Sequence, residues 1–371
     1  MDSVKGITAT LIFEASALNR DEKAGGNIPT IKKLTRYNNG VFETFSYISK
    51  PAIRHYLFTT LNQLYPDDWQ EAPVLSSKPD GDNREDRPEV IQFDITRANI
   101  LNYAELDLFG YMYTIGKQAS ITRKGSIGIT KAVSLEPWEG DMQFNANHDL
   151  VRRCNGKPNP VNREEHMSFY KVSLTLDVEK LGYDEWWINE SKYDKTNHKL
   201  TICLAQGDEH KVKIANIEEI DENTYELKEK GQIKIERIEI SEKEGKSKAI
   251  FILNEELKKK RIRQILTVIK NGFKYHASGE CYGIVPNFLI MAGLSLPIPI
   301  FHSYVDLNGT KISQIFDNTY ILKENDNKKK IFILNHLDIP VGIDEDKYYS
   351  DWGDFLNSIG LGSGQDENTQ T

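Results

Sequence analysis

The opening of the chain alternates apolar and polar positions. Four apolar residues within 5–15 fall on one side of an extended backbone: Ile7, Ala9, Leu11 and Phe13. This period of two predicts a half-buried strand. The next residues, 16–33, contain too many glycines and polar side chains for a regular element, so we expect a loop there.

A helix is predicted to begin near residue 50. Ser49 is a favourable N-cap, and Pro51 suits the first turn because its missing N–H would have no partner there. Four apolar residues then recur at helical spacing: Ile53, Leu57, Leu61 and Leu64. Lys50 and Arg54 are four residues apart and share another side of this helix. The pattern therefore predicts a helix with cations at its N-terminus.

Further alternation predicts two long strands, at 119–135 and 167–178. Between them, residues 136–165 show no periodicity, and loops of about thirty residues are usually functional or disordered. A second helix is expected after Asn254, and a last core strand at 287–296.

The resulting core order, β–α–β–β–α–β, indicates an α+β fold with a ferredoxin-like or RNA-recognition-motif (RRM) palm and large insertions. We expect the palm to comprise residues 1–178 and 254–300. The other expected segments are a mobile loop at 66–95, an excursion at about 136–165, a lid or finger insertion at 180–253, a peripheral hairpin and tail segment at 301–361, and a disordered tail at 362–371.

Charge is distributed unevenly along the chain. The formal net charge is −8, yet residues 1–64 carry +3. Such a segment can hold a polyanion because screening limits the effect of distant charges; a solvated surface is the alternative. The three cysteines are far apart, and with no leader segment evident this suggests a cytoplasmic protein without structural zinc or another cofactor.

Several segments resemble a known family. Residues 15–21, 26–33 and 49–54 are similar to the backbone subunit of Cascade, the CRISPR interference complex, and more narrowly to the DevR-like branch of the Cas-seven family in type I-B systems. Residues 108–112, 132–138 and 144–147 resemble the same branch. The similarity extends from about residue 5 to 178 and again over 254–296.

The resemblance implies a hand-shaped, ribonucleoprotein-forming subunit. Several copies would stack along a guide RNA (crRNA), and a thumb hairpin from each copy would displace a base at a regular interval. The expected partners are crRNA, the target DNA strand paired to it, further copies of the chain and other Cascade subunits, with no membrane. Protein contacts would grip the backbone, while base pairing would read the sequence.

The same resemblance implies the residues that contact RNA. Palm candidates are Asn19, Arg20, Asn27, Lys32, Lys33, Lys50 and Arg54. Thumb candidates are Phe144, Asn145, Arg152, Arg153, Lys157 and Arg163. Apolar candidates to wedge between bases are Met142, Phe144, Leu150 and Val151, although Phe144 could instead pack the thumb onto the palm.

Two further candidates are less specific. Arg123 could face RNA from the palm sheet or belong to a solvated turn, and Gly279 could bring backbone N–H groups to a phosphate or simply end a helix. His148 and His166, which flank the excursion, are expected at the surface.

The loop around Asn27 bears on catalysis. Related type III subunits cut RNA with an aspartate in this loop, and Asn27 is the best match to that position here. Because a neutral amide is a poor metal ligand and cannot act as a general base, we expect no enzymatic activity. The alternatives are a metal-dependent ribonuclease that uses Asp21, and a stand-alone single-stranded nucleic-acid-binding protein.

Overall fold

A computed structural model gives the fold. It describes residues 3–16, 20–21, 30–38, 40–77, 90–115, 120–207, 210–241, 244–277, 280–309, 311–325 and 328–362. The chain divides into two compact units. Unit 1 comprises Met1–Thr60, Ile129–Thr175 and Leu266–Thr371, and unit 2 comprises Leu61–Gly128 and Leu176–Ile265.

The helices in these residues are α1 (Lys50–Leu64), α2 (Ala104–Phe109), α3 (His148–Cys154), α4 (Glu255–Asn271), α5 (Ile312–Phe316) and α6 (Trp352–Ser358), with a 3-10 turn at Glu345–Lys347. The strands are β1 (Gly6–Ser16), β2 (Arg20–Asp21), β3 (Thr30–Ile31), β4 (Lys33–Asn38), β5 (Val41–Ile48), β6 (Val74–Ser77), β7 (Val90–Phe93), β8 (Gly110–Tyr113), β9 (Ile121–Lys124), β10 (Ile127–Ile129), β11 (Ala132–Ser134), β12 (Met142–Ala146), β13 (Pro160–Glu164), β14 (Met167–Asp177), β15 (Tyr183–Ile188), β16 (Glu190–Asp194), β17 (Lys199–Cys203), β18 (Lys211–Ala215), β19 (Ile217–Asp221), β20 (Thr224–Leu227), β21 (Gly231–Ser241), β22 (Glu244–Leu253), β23 (Phe273–Ala277), β24 (Glu280–Ile284), β25 (Phe288–Leu294), β26 (Lys323–Asn325), β27 (Lys328–Lys329) and β28 (Ile331–Asn335).

The main sheet lies largely in unit 1 and has the strand order β28-β25-β1-β14-β11-β5-β4, with β10 paired to β14. Strand β1 is buried on both faces, whereas the sequence predicted a half-buried strand. The hydroxyls of Thr8 and Thr175 share a hydrogen bond of 3.0 Å, and those of Thr10 and Ser173 share one of 2.7 Å. Threonine therefore marks a covered, hydrogen-bonded face, because its hydroxyl finds a partner on the neighbouring strand.

Both predicted helices are present. In α1, the apolar side chains of Ile53, Leu57 and Leu61 are fully buried, but Leu64 is 59% exposed, so the stripe ends one turn early. In α4, Asn254 caps the helix by accepting hydrogen bonds from the N–H groups of Glu256 (2.9 Å) and Leu257 (3.3 Å).

The C-terminal segment differs from the peripheral hairpin expected there. Strand β28 pairs antiparallel with β25, with Ile290 opposite Ile333, and so extends the main sheet. Ile331 and Ile333 belong to the same apolar cluster as Phe288 and Phe301. Burial of these side chains explains why the segment joins the core; residues 363–371 lie outside the described part.

Unit 2 contains a five-stranded sheet, β15-β22-β21-β20-β19, and a three-stranded sheet, β16-β17-β18. Its core includes Trp186 and Phe251, whose ring centroids are 4.3 Å apart. The segment expected as a mobile loop contains a hairpin of β6 and β7, with 78–89 outside the described residues. The coarse prediction of a mixed, sheet-rich α and β protein is confirmed.

Within the described residues, every helix is too short or too polar to cross a membrane.

Candidate nucleic-acid interface

The N-terminus of α1 presents positive charge. The Ser49 hydroxyl accepts a hydrogen bond from the Ala52 N–H at 3.4 Å, as expected of an N-cap. Lys50 is exposed in the first turn, and Arg54 follows one turn later and is half-buried. The dipole at this end of a 15-residue helix adds to the positive potential of both side chains.

Lys32 and Lys33 are adjacent but take opposite faces of the sheet. The Tyr47 N–H donates to the Lys32 carbonyl at 2.9 Å, and Lys33 stands opposite Ser46 in the β4–β5 register. Since successive side chains of a strand alternate, Lys32 shares a face with Tyr47. Lys33 instead forms an ion pair of 2.7 Å with Glu164 and lies 3.7 Å above the Trp138 ring.

A cationic surface surrounds Tyr47. The Lys131 ammonium lies 4.4 Å from the centre of the Tyr47 ring, and Tyr47 pairs with Val133, which pairs with Lys171. This register puts Tyr47 and Lys171 on one face. With Arg36, these residues form what we call the sheet surface (Arg36, Tyr47, Lys131 and Lys171).

The positive charges of the sheet surface are close enough to affect one another. Burial lowers the pKa of Lys171, and Arg36 lowers it further, although Asp306 opposes the effect. Burial also lowers the pKa of His302, with further lowering by Lys171 and Arg36. Neighbouring like charges repel, so a bound anion would stabilise this surface.

None of the four sheet-surface residues was among the RNA-contact residues predicted from the sequence. Lys171 alternates with Tyr170 and Val172 in β14, so the pattern did place it on the face opposite the apolar side chains. What the pattern could not show is that Arg36 and Lys131 come to the same face, because β4 and the residue before β11 are distant from β14 in sequence.

The predicted excursion is a hairpin of β12 and β13 that carries α3. We call residues 142–164 the thumb hairpin. Three of its apolar side chains are exposed: Met142 (49%), Phe144 (65%) and Leu150 (59%). The alternative that Phe144 packs the hairpin onto the palm is therefore wrong, and Phe144 is available to a ligand.

The thumb hairpin also carries cations. Arg152 and Lys157 are exposed, and Arg163 is half-buried opposite Gln143. Arg153 forms an exposed ion pair of 2.6 Å with Asp149 on α3. The Asn145 amide donates to the Gln143 side chain at 3.1 Å.

The base of the thumb hairpin is hydrogen-bonded to neighbouring strands of unit 1, the unit to which the hairpin belongs. Glu164 accepts hydrogen bonds from the Ile31 N–H at 2.9 Å and from Lys33 at 2.7 Å. A hydrogen bond of 2.7 Å joins His166 Nδ1 to the Ser46 hydroxyl. His166 is 4% exposed, so its predicted surface position is wrong, and burial is the main cause that lowers its pKa. These contacts hold the hairpin without using its exposed side chains.

The placement of Arg123 also corrects the sequence prediction. Arg123 is 7% exposed and lies in unit 2. Its guanidinium forms an ion pair of 2.7 Å with Asp107 and donates to the Lys180 carbonyl at 2.9 Å. Because the β9 pattern puts Arg123 inward, its donors are used inside the protein and do not face RNA.

The remaining candidates lie outside the described residues or have side chains that are not described. Asn19, Asn27 and Gly279 are outside, and Arg20 is described only as part of the backbone of β2, opposite Ile31. Within the described residues, no group of three or more His, Cys, Asp or Glu side chains is arranged to hold a metal ion.

Comparison with known proteins agrees with the resemblance seen in the sequence. The family model described as "CRISPR-associated negative auto-regulator DevR/Csa2" matches residues 7–314. A protein of Myxococcus xanthus (strain DK1622), named "CRISPR-associated protein Cas7/Cst2/DevR", is 27% identical over 187 residues, which are 45% of this chain and 55% of that protein. The chain thus spans about half the length of this curated relative.

Two solved structures resemble the fold. A chain of a "CRISPR RNA-guided surveillance complex, pre-nicking" has a TM-score of 0.53 at 8% identity, with 95% of this chain and 98% of that chain covered. A chain of a "CRISPR RNA-guided surveillance complex" has a TM-score of 0.46 at 8% identity and the same coverage. The first likeness shows a shared fold. Because the family model spans most of the chain, this protein belongs to the DevR/Csa2 family of CRISPR-associated proteins.

Proposed function

We propose that this chain is the guide-RNA-binding backbone subunit of a type I-B Cascade complex. The observation that carries the proposal is the grouping of Arg36, Lys131 and Lys171 on the face of Tyr47, three residues before α1. Lys131 lies on the Tyr47 ring, and α1 begins with Lys50 three residues after Tyr47. Membership of the DevR/Csa2 family supports a role in CRISPR interference.

We assign the RRM-like palm to β1, α1, β11, β14, α4 and β25. Their order along the chain is β–α–β–β–α–β, and their strands are neighbours in the order β25-β1-β14-β11. Strands β28 and β5–β4 extend this core at either side. Residues 136–165 are the thumb excursion and 180–253 the lid or finger insertion.

Phosphate and sugar contacts would hold the guide. Lys50 and Arg54 offer charge at a helix N-terminus, and Lys32 adds to the sheet surface. Contacts of this kind carry little base information, so one protein can coat any guide sequence. The guide would then pair with the target DNA strand.

The thumb hairpin would interrupt the stacking of the guide. Phe144 offers an exposed ring, and wedges of this type unstack a base step at a cost of about a few kcal/mol. Exposed Arg152 and Lys157 on the same hairpin would offset that cost through phosphate contacts. Further copies of the chain and other Cascade subunits would complete the assembly.

A double charge reversal tests the palm. We expect Lys50→Glu with Arg54→Glu to reduce co-purified RNA at least about tenfold, because affinity depends steeply on phosphate neutralisation. The control, Lys192→Glu with Lys195→Glu, makes the same change in charge at exposed positions of unit 2. Equal RNA content in both folded variants would contradict the palm assignment.

We propose a structural role without catalysis, since by resemblance Asn27 is the best match to the position at which related ribonucleases carry a carboxylate. Incubation of the assembled complex with complementary RNA and Mg²⁺ should leave that RNA intact. Regularly spaced cuts would instead favour a metal-dependent ribonuclease that uses Asp21. Purification without a guide of discrete length and without other subunits would favour a stand-alone single-strand binder.

A further inference from the structure

A cavity of about 610 Å³ lies within unit 2, and this volume is in the range of small-ligand sites. We call it the Trp187 cavity. Its lining includes Lys124, Lys180, Tyr183, Trp187, Ile188 and Lys246. These residues come from β9, from the turn before β15, from β15 itself and from β22.

Buried and exposed side chains alternate along β15, and two aromatic side chains, Tyr183 and Trp187, are on the exposed side. Asp184, Trp186 and Ile188 are buried, whereas the residues between them are exposed. Tyr183 is 42% exposed and Trp187 is 50% exposed. A half-exposed indole in a concave site offers a flat apolar surface on which another ring can stack.

The buried side of β15 is held by a hydrogen-bonded network. Tyr111 donates to Asp184 at 2.6 Å, and the Trp186 indole N–H donates to the Tyr111 oxygen at 2.5 Å. The whole network is buried, so β15 has little freedom to rotate. The outward rings are therefore pre-organised, which lowers the entropy lost when a ligand binds.

The charge of the lining favours an anion. Lys124 and Lys246 are exposed, and Lys180 is half-buried and forms an ion pair of 3.2 Å with Asp177 at the edge of the site. The two lining carboxylates already have cationic neighbours: Glu185 lies 2.9 Å from Lys248, and Asp184 lies 3.8 Å from Arg123. Lys248 also lies 4.8 Å from the centre of the Trp187 ring, so the indole already has a cation beside it.

We propose that the Trp187 cavity binds a nucleotide of a single-stranded nucleic acid, with its base on Trp187 and adjoining phosphates on Lys124, Lys180 and Lys246. An aromatic platform among several lysines is the arrangement by which proteins hold single strands with little sequence preference. The three lysines lie on different elements of the cavity lining, so more than one phosphate of a strand could be contacted. This site belongs to unit 2 and goes beyond the guide-binding surface proposed for unit 1.

The test measures fluorescence anisotropy of a short labelled oligothymidylate, unrelated to any bound guide, with the full chain. We expect Trp187→Ala to weaken binding about tenfold, in line with the loss of one stacked base. Trp187→Phe, which keeps a ring, should retain most of the affinity. Lys124→Glu with Lys246→Glu should weaken binding more than the control Lys192→Glu with Lys195→Glu.

The amount of co-purified RNA is measured in the same variants, and we expect it to be unchanged. This measurement distinguishes failure of the Trp187 cavity proposal from failure of the palm assignment. Unchanged oligonucleotide affinity of Trp187→Ala would overturn the proposal. So would equal losses in the two double variants, which would show only a general charge effect. If AMP competes as strongly as unlabelled oligonucleotide, the site binds a free nucleotide and the proposal is overturned. If the variants lose co-purified RNA in parallel with oligonucleotide affinity, the cavity is not a site separate from the guide-binding surface.

Discussion

The ammonium group of Lys33 lies 2.7 Å from a carboxylate oxygen of Glu164, and the other carboxylate oxygen accepts the Ile31 N–H at 2.9 Å. Glu164, at the end of β13, thus accepts hydrogen bonds from one donor at the end of β3 and from another at the start of β4. Glu164 is 8% exposed, so water offers a poor substitute for it. The contact links the base of the thumb hairpin to the strand that leads to the sheet surface.

Glu164→Ala should destabilise unit 1. Removal of the carboxylate leaves the Ile31 N–H and the Lys33 ammonium without this partner, at a cost of about 1–3 kcal/mol. Urea unfolding measures the change. The control Asp149→Ala removes a partner from the exposed Arg153 pair and should change the midpoint little; equal shifts in both variants would contradict this role of Glu164.

Asp107→Asn should strongly destabilise unit 2. Asp107 is fully buried and pairs with Arg123 at 2.7 Å and with Arg261 at 2.8 Å. Loss of its charge removes a carboxylate from within 2.8 Å of two buried guanidinium groups, and Asp184, 3.8 Å from Arg123, replaces it only in part. Breaking such a buried pair typically costs about 3–5 kcal/mol. Thermal or urea unfolding reports the loss.

Lys234→Ala provides the comparison for Asp107→Asn, because Lys234 pairs with Glu236 in unit 2 and the two side chains are 50% and 38% exposed. This control should be nearly neutral. The network also explains why Arg123→Ala should reduce stability without a specific effect on RNA. Full stability of Asp107→Asn would show that the two arginines do not depend on it.

Phe144→Ala should separate thumb function from stability. The side chain is 65% exposed, so the free energy of unfolding should change by less than about 0.5 kcal/mol. If Phe144 wedges between bases, chemical probing of the bound guide should lose its periodic pattern of reactive nucleotides. Leu150→Ala, an exposed change on α3, tests whether any apolar loss from the hairpin has the same result.

His166 should contribute a loss of stability as the pH falls below about 6.5, against an opposite contribution from Asp184, whose pKa burial raises to about 6. Burial lowers the pKa of His166 from its usual 6.5, so the unfolded chain binds a proton more readily than the folded chain. The stabilisation is therefore complete above the unfolded pKa and declines as the pH drops toward the folded one. The melting temperature, followed from neutral to mildly acidic pH, measures the effect.

His166→Asn should flatten this pH dependence. His302, whose pKa burial also lowers, stays in both proteins, so part of the dependence should remain. The exposed His148 offers the matched control, and His148→Asn should keep the wild-type profile. An unchanged profile in His166→Asn would show that His166 is not the group responsible.

Local patterns in the sequence determined the regular elements. The period of two in β1, the Ser49 cap of α1 and the Asn254 cap of α4 each depend on residues within about four positions, and the structure contains all three elements. The quoted motifs also identified the family. The sequence could not decide whether Phe144 is exposed, because the residues of a hairpin do not indicate which distant side chains the hairpin packs against.

Tertiary structure decided which polar residues are available. Thr8 is covered by Thr175, and the partners of Arg123 include Asp107 and the Lys180 carbonyl, none of them near neighbours in the sequence. The sequence around a lysine or arginine does not show whether its charge faces solvent, RNA or a buried carboxylate. Long-range strand pairing makes that choice, because it sets the face of the sheet to which each side chain points.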